Sequence, residues 1–526
     1  MKLFAQAERN APLAAALIAV VSHATAIGGG YVWLDHAHIE QGLALAKPGA
    51  FASLFASTFA GTGFYRPLMS LSLSLDAAVS SDPALMHVVS LAWHALASAL
   101  LVLVARALGS SQRVALVAGA LFAAHPLTSL VASAIAFRSE AMALVFLLAL
   151  ILFHLRSRPI AAALALIAGA LSKETAWLLA PLFVAVLELT AAPSTQPNSR
   201  RARLRLLVAE AIAFVSVSAL RLSIAQHRAT FPSLSWDENI GTRLGALGKG
   251  LLRVLVPVPN TICDAFPVSS SVSALSLLGA ALVFLLLALR LPQRRVLGLA
   301  LLSLLPSLQL VPIMRWWSPH YFYIPLGFLA VLATDLVERR WPRVSPAWLL
   351  TLALYSGLSL VDGRRFRNDE ALWSPEVARQ PACREGQFYL AEVARERGDW
   401  QRAALHYERA LRPHSSQIAY VDELAAYQNW GAVLIAGRQW AQARDALREA
   451  LARSGTSDER RRVTHNLALT ELRSGDAASA AELLAAEVNQ TEPQRESLLV
   501  RARALHELGR EDEAQDMLRR FAARRP

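Results

Sequence analysis

Lysine is almost missing from this chain: Lys2, Lys47, Lys173 and Lys249 stand among 52 basic residues. Cysteine is scarcer still, and Cys263 with Cys383 cannot build a zinc site alone. Charged residues make up only 17% of the 526, against 54% hydrophobic, which excludes one soluble domain and implies several membrane spans. There is no P-loop and no credible Gly-rich dinucleotide turn, so soluble-nucleotide chemistry has no motif to rest on. The net charge of +12 invites a nucleic-acid partner, but the arginines cluster in short loops between apolar runs, where they orient a membrane protein. DNA and RNA are therefore not expected as partners.

The apolar residues fill roughly the first 360 positions, and the remainder reads as soluble helix. Apolar runs set against breakers predict about eleven spans, near 12–34, 86–106, 114–131, 140–155, 159–172, 175–190, 206–222, 272–290, 296–312, 321–337 and 346–361. Arg106/Arg113, Arg156/Arg158, Arg200-Arg201/Arg203/Arg205, Arg290/Arg294-Arg295 and Arg339-Arg340/Arg343 then share the side of the N-terminus, which is cytoplasmic by the positive-inside rule. The first run is kept as a span, since Gly28-Gly29-Gly30-Tyr31 is a poor cleavage site. Residues 243–260, with Lys249 and Arg253 at helical spacing and Pro257/Pro259 behind them, suit an interfacial helix better than a further span, which would change the parity and flip the C-terminal part. The loop from Lys47 to Val79, with Phe51, Leu54, Phe55 and Phe59, is also expected along the membrane surface. An odd span count leaves the C-terminal part outside. The expectation is a multi-pass protein of a bacterial inner membrane with residues 1–362 in the lipid and 363–526 in the periplasm. Both cysteines would then face one compartment, which leaves a disulfide open.

After Arg364 the pattern becomes paired amphipathic helices with turn glycines at Gly398, Gly437, Gly475 and Gly509. Their separations approach the 34-residue tetratricopeptide period, so about four repeats and a short α-solenoid are expected. Such a surface binds peptides or proteins. Its bland reading is a cap or a dimerisation element.

The chain is organised around Gly30 to Glu40, joined a loop's length later by Phe64-Tyr65-Arg66-Pro67-Leu68. The first apolar run delivers Asp35 to the far interface, where a carboxylate can stay ionised near lipid headgroups and act as a base. Tyr65-Arg66, Arg138 with Glu140, Lys173-Glu174, and Arg315 through His320 to Tyr323 fall on the same face, and ionisable groups at span ends are functional candidates. A lipid-linked sugar phosphate would present its phosphate there: Arg66, Arg138, Lys173 and Arg315 could neutralise it while a carboxylate deprotonates an acceptor hydroxyl. Each has a duller reading. Asp35 can simply end a helix, Arg138/Glu140 and Lys173/Glu174 can be structural pairs, and His125 can cap a helix. His36 and His38 could ligate a metal beside Asp35, but two histidines and an acid rarely suffice. No cofactor is expected, with a divalent metal left open.

These motifs, in order, resemble the transmembrane-and-tetratricopeptide-repeat O-mannosyltransferases and their bacterial relatives, which have the GT-C glycosyltransferase fold. Tyr31-Val32-Trp33-Leu34-Asp35-His36 resembles the family's aromatic-Asp-Asp first-loop motif, and Tyr65-Arg66-Pro67-Leu68 its Tyr-Arg-Pro-Leu. His125-Pro126 through Arg138-Ser139-Glu140 resembles its His-Pro segment, Ser172-Lys173-Glu174-Thr175 its Lys-Glu pair, and Tyr323-Ile324-Pro325 its Tyr-Leu-Pro. Trp373 begins the approach to the repeats. The resemblance implies an all-α polytopic domain followed by repeats, a polyprenyl-phosphate sugar donor, inverting transfer to a hydroxyl, and Asp35 as base. Three departures stand out: Leu34 replaces the first Asp, Leu130 an acid (with Thr128 where a second His is common), and His320 an Arg, although Arg315 is near.

The expected partners are thus a polyprenyl-phosphate-linked sugar, the lipid bilayer, and a protein acceptor recruited by the repeats. Two rival readings stand beside this one. One is a transferase or ligase of lipid-linked glycans, and the other is a catalytically silent membrane scaffold.

Overall fold

The computed structural model describes residues 10–45, 50, 52–59, 62–191, 197–225, 234–258, 260–269, 273–288, 293–309, 315–341, 345–414, 416–489 and 494–523. The fold is all-α; among the described residues the strands are the two-residue pieces Phe266–Pro267 and Gln417–Ile418. The chain divides into two compact units, Met1–Leu372 and Trp373–Pro526.

The first unit contains α1 (Ala11–Ser22), α2 (Asp35–Leu45), α3 (Pro67–Val79), α4 (Pro83–Ala107), α5 (Gln112–Ala124), α6 (Arg138–Leu155) and α7 (Pro159–Ser172). It continues with α8 (Glu174–Leu189), α9 (Pro197–Ile224), α10 (Trp236–Leu255), α11 (Ala274–Ala288), α12 (Arg294–Ser303), α13 (Tyr323–Arg340) and α14 (Ser345–Gly363). Local chemistry sets several starts. Asp82 accepts the Ala84 N–H ahead of Pro83, Ser111 accepts that of Val114, and Ser235 with Glu238 forms a capping box. Among the described residues four helices are long and apolar enough to cross a membrane: Pro83–Ala107, Ile135–Leu155, Arg200–Ile224 and Pro319–Arg340. Gln112–Ala124 and Pro126–Ser133, bent by 53°, make a fifth if the pair counts as one span. Ala11–Ser22, Pro67–Val79, Pro159–Ser172 and Ala274–Phe284 are apolar but shorter.

The bend after α5 follows from Pro126, which cannot continue the helical ladder. Every residue from 122 to 145 is nonetheless buried, and side chains meet the loosened peptide groups. The Ala123 carbonyl accepts from His23 and His94, the Ala124 carbonyl from Ser359, and the Pro126 carbonyl from Asn260. α10 forms the amphipathic helix expected for residues 243–260 but begins at Trp236. It packs on α11 where Gly248 meets Gly279; a Cβ on Gly248 would stand 1.9 Å from the Leu275 carbonyl oxygen.

The second unit pairs helices α15 (Arg384–Glu396) with α16 (Trp400–Leu411), and α17 (Glu423–Ala436) with α18 (Trp440–Arg453). α19 (Ser457–Arg473) follows with α20 (Ala477–Leu483), then α21 (Arg495–Glu507) with α22 (Glu511–Ala523). Small residues let them close: Ala391, Ala394 and Ala403 pack around Tyr407 and Val433. Gly398, Gly475 and Gly509 adopt positive φ at their turns. In the second pair the sequence reading needs a correction. Gly437 caps α17 at φ −78°, and the left-handed residue is Arg438 at φ 58°, because this turn sits one residue later than its glycine. Cys263 and Cys383 are both buried thiols.

Candidate active site

α2 begins at Asp35 after a turn held from several directions. Trp33 has left-handed backbone, φ 56°, which a bulky residue keeps only when its surroundings impose it. Its N–H donates to Asp369 Oδ1 at 2.7 Å, and the His36 ring Nε2 meets Asp369 Oδ2 at 2.7 Å. The Gly30 N–H donates to the Phe366 carbonyl at 3.1 Å, and a Cβ on Gly30 would lie 2.6 Å from the Arg367 oxygen. Asp35 itself is fully buried. Its Oδ1 accepts the Ala136 N–H at 2.6 Å and its Oδ2 that of Val32 at 3.3 Å. Burial pushes this carboxyl up to about 7, against the opposing pull of the Ala136, Val32 and Ile135 amides and of His36.

Next to this turn lies a cluster rich in cations. Arg66, at the N-terminus of α3, grips Glu174 with two parallel bonds, Nε to Oε2 at 2.9 Å and Nη2 to Oε1 at 2.5 Å. Arg221 reaches the same carboxylate at 3.5 Å and donates to the carbonyls of Tyr65 and Ala170. Burial opposes ionisation of Glu174, yet Arg66, Lys173 and Arg221 outweigh it and hold this carboxyl well below the usual range. Lys173 Nζ pairs with Glu140 at 2.6 Å, and the His320 Nε2 stands 3.7 Å from the same oxygen. Arg315 lies over the Trp33 ring, 5.0 Å from its centroid. His38 faces this cluster from α2, nearly buried, with its ring 4.5 Å from that of Phe59. Burial, with Arg66, Lys173 and Arg315 adding to it, holds His38 down to about 3, so the imidazole is neutral. Its Nδ1 has no hydrogen-bond partner among the described residues. The arrangement can bind an anion, since Arg66, Lys173 and Arg221 face two carboxylates, Glu140 and Glu174, and Arg315 acts with Arg66 and Lys173 on the adjacent His38.

Other candidates are taken up elsewhere. Arg138 is fully buried and donates to Ser90, Ser72 and the Met86 carbonyl, with Asp76 2.5 Å away. Tyr323 shares a hydrogen bond with His94 Nδ1 at 2.8 Å. His125 accepts the Leu127 N–H and faces the Val254 carbonyl, a helix-end role. The Tyr65 hydroxyl donates to the Phe55 carbonyl at 3.0 Å. His36 turns to Asp369 while His38 faces the cations, so the two do not converge. Among the described residues no three His, Cys, Asp or Glu gather as a metal set. Sequence reading missed Arg221, whose signal is a lone charge ending an apolar run, and Asp369, which no motif marks.

The site defines a buried cation cluster beside a buried carboxylate, within an all-α unit whose helices include several able to cross a membrane. No protein-family model matches the chain. A stretch of 149 residues is 32% identical to the protein O-mannosyl-transferase Tmtc2 of Drosophila melanogaster, covering 26% of this chain. The chain spans 16% of that relative's length.

Proposed function

We propose that this chain is a membrane glycosyltransferase that moves a sugar, mannose or a similar hexose, from a polyprenyl phosphate to a protein hydroxyl. The cluster around Glu140 and Glu174 carries the reading: its cations, one of them over the Trp33 ring two residues from Asp35, suit a phosphate that leaves while a hydroxyl is deprotonated. The Tmtc2 likeness supports the same class of reaction. Asp35 takes the hydroxyl proton, the oxygen attacks the anomeric carbon with inversion, and the carbon–oxygen bond to phosphate breaks. Arg66, Lys173 and Arg315 receive the leaving charge. In this reading the first unit is a GT-C-like domain of about eleven spans, and the helix pairs of the second are a tetratricopeptide solenoid that recruits the acceptor. The site and the solenoid face the periplasm of a bacterial inner membrane. The test is transfer in membranes supplied with lipid-linked sugar, where Asp35→Asn abolishes turnover; full turnover in that variant removes Asp35 as base.

One observation favours a second reading, the silent scaffold. Asp35 is enclosed, and both its oxygens already accept backbone N–H groups, as a purely structural aspartate's would. This reading predicts that Asp35→Asn lowers thermal stability, that no sugar is transferred by the wild type, and that the repeats alone carry function.

A further inference from the structure

We propose that Asp369 is a positioning residue for Asp35, a role that rests on Asp35 being the base. One carboxylate holds both sides of it at once, through the Trp33 N–H two residues before and the His36 ring one residue after, each at 2.7 Å. The Asp369 side chain is 12% exposed, so the Trp33 bond forms largely out of water, where it holds most strongly, while the His36 ring is half exposed. The restraint is needed because Trp33 sits at φ 56°, a conformation that relaxes to negative φ once its N–H is released. Residues 366–369 act as one strip in this: the Phe366 carbonyl holds Gly30, the Arg367 oxygen leaves that glycine no room for a side chain, and Asp369 closes the turn.

Two consequences run through Trp33. If the turn relaxes, Asp35 loses its alignment with the Ala136 N–H at 2.6 Å and comes into contact with water. The Trp33 ring also carries the Arg315 guanidinium at 5.0 Å, so the same movement displaces a cation of the cluster. A misplacement of about 1 Å costs a reaction on the order of 100-fold in rate. Asp369 therefore governs the rate of the chemical step more than the affinity for the donor.

The test uses the full-length protein in membranes, comparing wild type, Asp369→Ala, Asp369→Asn and Asp35→Asn. Asp369→Ala lowers kcat by about 100-fold with the KM for lipid-linked sugar changed by less than about 3-fold, and Asp369→Asn, which keeps an acceptor for the Trp33 N–H, restores about 10-fold of that loss. A merely structural role would not move the pH profile. Here the acid limb shifts below its wild-type midpoint in Asp369→Ala, because a loosened turn lets water solvate Asp35; the titratable and charged groups facing Asp35 are Tyr31, His36 and Arg138. A second readout needs no turnover. Leu34→Cys, placed in an otherwise cysteine-free background, is labelled several-fold faster by a water-soluble maleimide once Asp369→Ala is added. Wild-type labelling together with an unmoved acid limb in Asp369→Ala overturns the proposal. Full turnover in Asp35→Asn overturns the base assignment instead, and the labelling arm still reports on the turn.

Discussion

Replacing Arg138 by methionine separates a ligand-binding arginine from a structural one. The guanidinium is fully buried and spends Nε, Nη1 and Nη2 on Ser90, Ser72, Asp76 and the Met86 carbonyl. Removing it leaves the Ser90 hydroxyl satisfied, since that group already donates to the Met86 carbonyl at 3.0 Å. The cost therefore falls on Asp76, whose side chain is 8% exposed and loses its counter-charge. Breaking a buried pair from one side costs about 3–5 kcal/mol, whereas exchanging both partners for apolar groups of similar volume is often close to neutral. Arg138→Met should lose about 3–5 kcal/mol, and Arg138→Met/Asp76→Leu should recover all but about 1–2 kcal/mol of it. Thermal melting of the purified protein in detergent, run as a double-mutant cycle, reads both numbers. If Arg138→Met melts with the wild type yet loses sugar transfer, the guanidinium serves a ligand and the structural reasoning fails.

Three further outcomes follow from the geometry. With Asp35 as the proposed base, turnover should rise with pH through about 7 and level off above it, since a carboxyl takes up a proton only once it has lost its own; a flat rate from about pH 5.5 to 8 would assign the base elsewhere. Arg438→Gly should stabilise the full chain against thermal unfolding by about 0.5–1 kcal/mol, since glycine occupies the left-handed region without strain; no gain in melting temperature would mean that the arginine side chain earns its place by other interactions. Gly248→Ala should cost about 1–3 kcal/mol by forcing α10 away from the backbone of α11, and an unchanged melting curve would show that the two helices part freely.

The residues that stood out in the sequence did so because charge at the end of an apolar run is costly. Arg66, Lys173, Glu174, Glu140 and Arg315 were legible on that ground, and the cluster they form includes all five. Their pairings were not legible. Lys173 and Glu174 look like a neighbouring ion pair, yet each reaches a different partner, Glu140 and Arg66, because the break between α7 and α8 points the two side chains apart. The aspartate that restrains Trp33 lies 336 residues downstream, a separation no local pattern encodes. The all-α character followed from hydrophobic periodicity, which is a local property. Helix ends were harder, since α10 starts seven residues before the stretch that marked it, where Ser235 and Glu238 cap it.

The broken stretch after α5 has a consequence for the polar residues around it. Peptide groups freed by a bend inside an apolar slab have no water to turn to, so the protein must supply its own internal solvent. His23, His94, Ser359 and Asn260 act in that capacity toward the carbonyls of Ala123, Ala124 and Pro126. Turning any one of them into a hydrocarbon would dry out a backbone dipole rather than remove a reactive group. Damage at these positions should accordingly be rescued by another hydrogen-bonding side chain of similar reach, whatever its acidity.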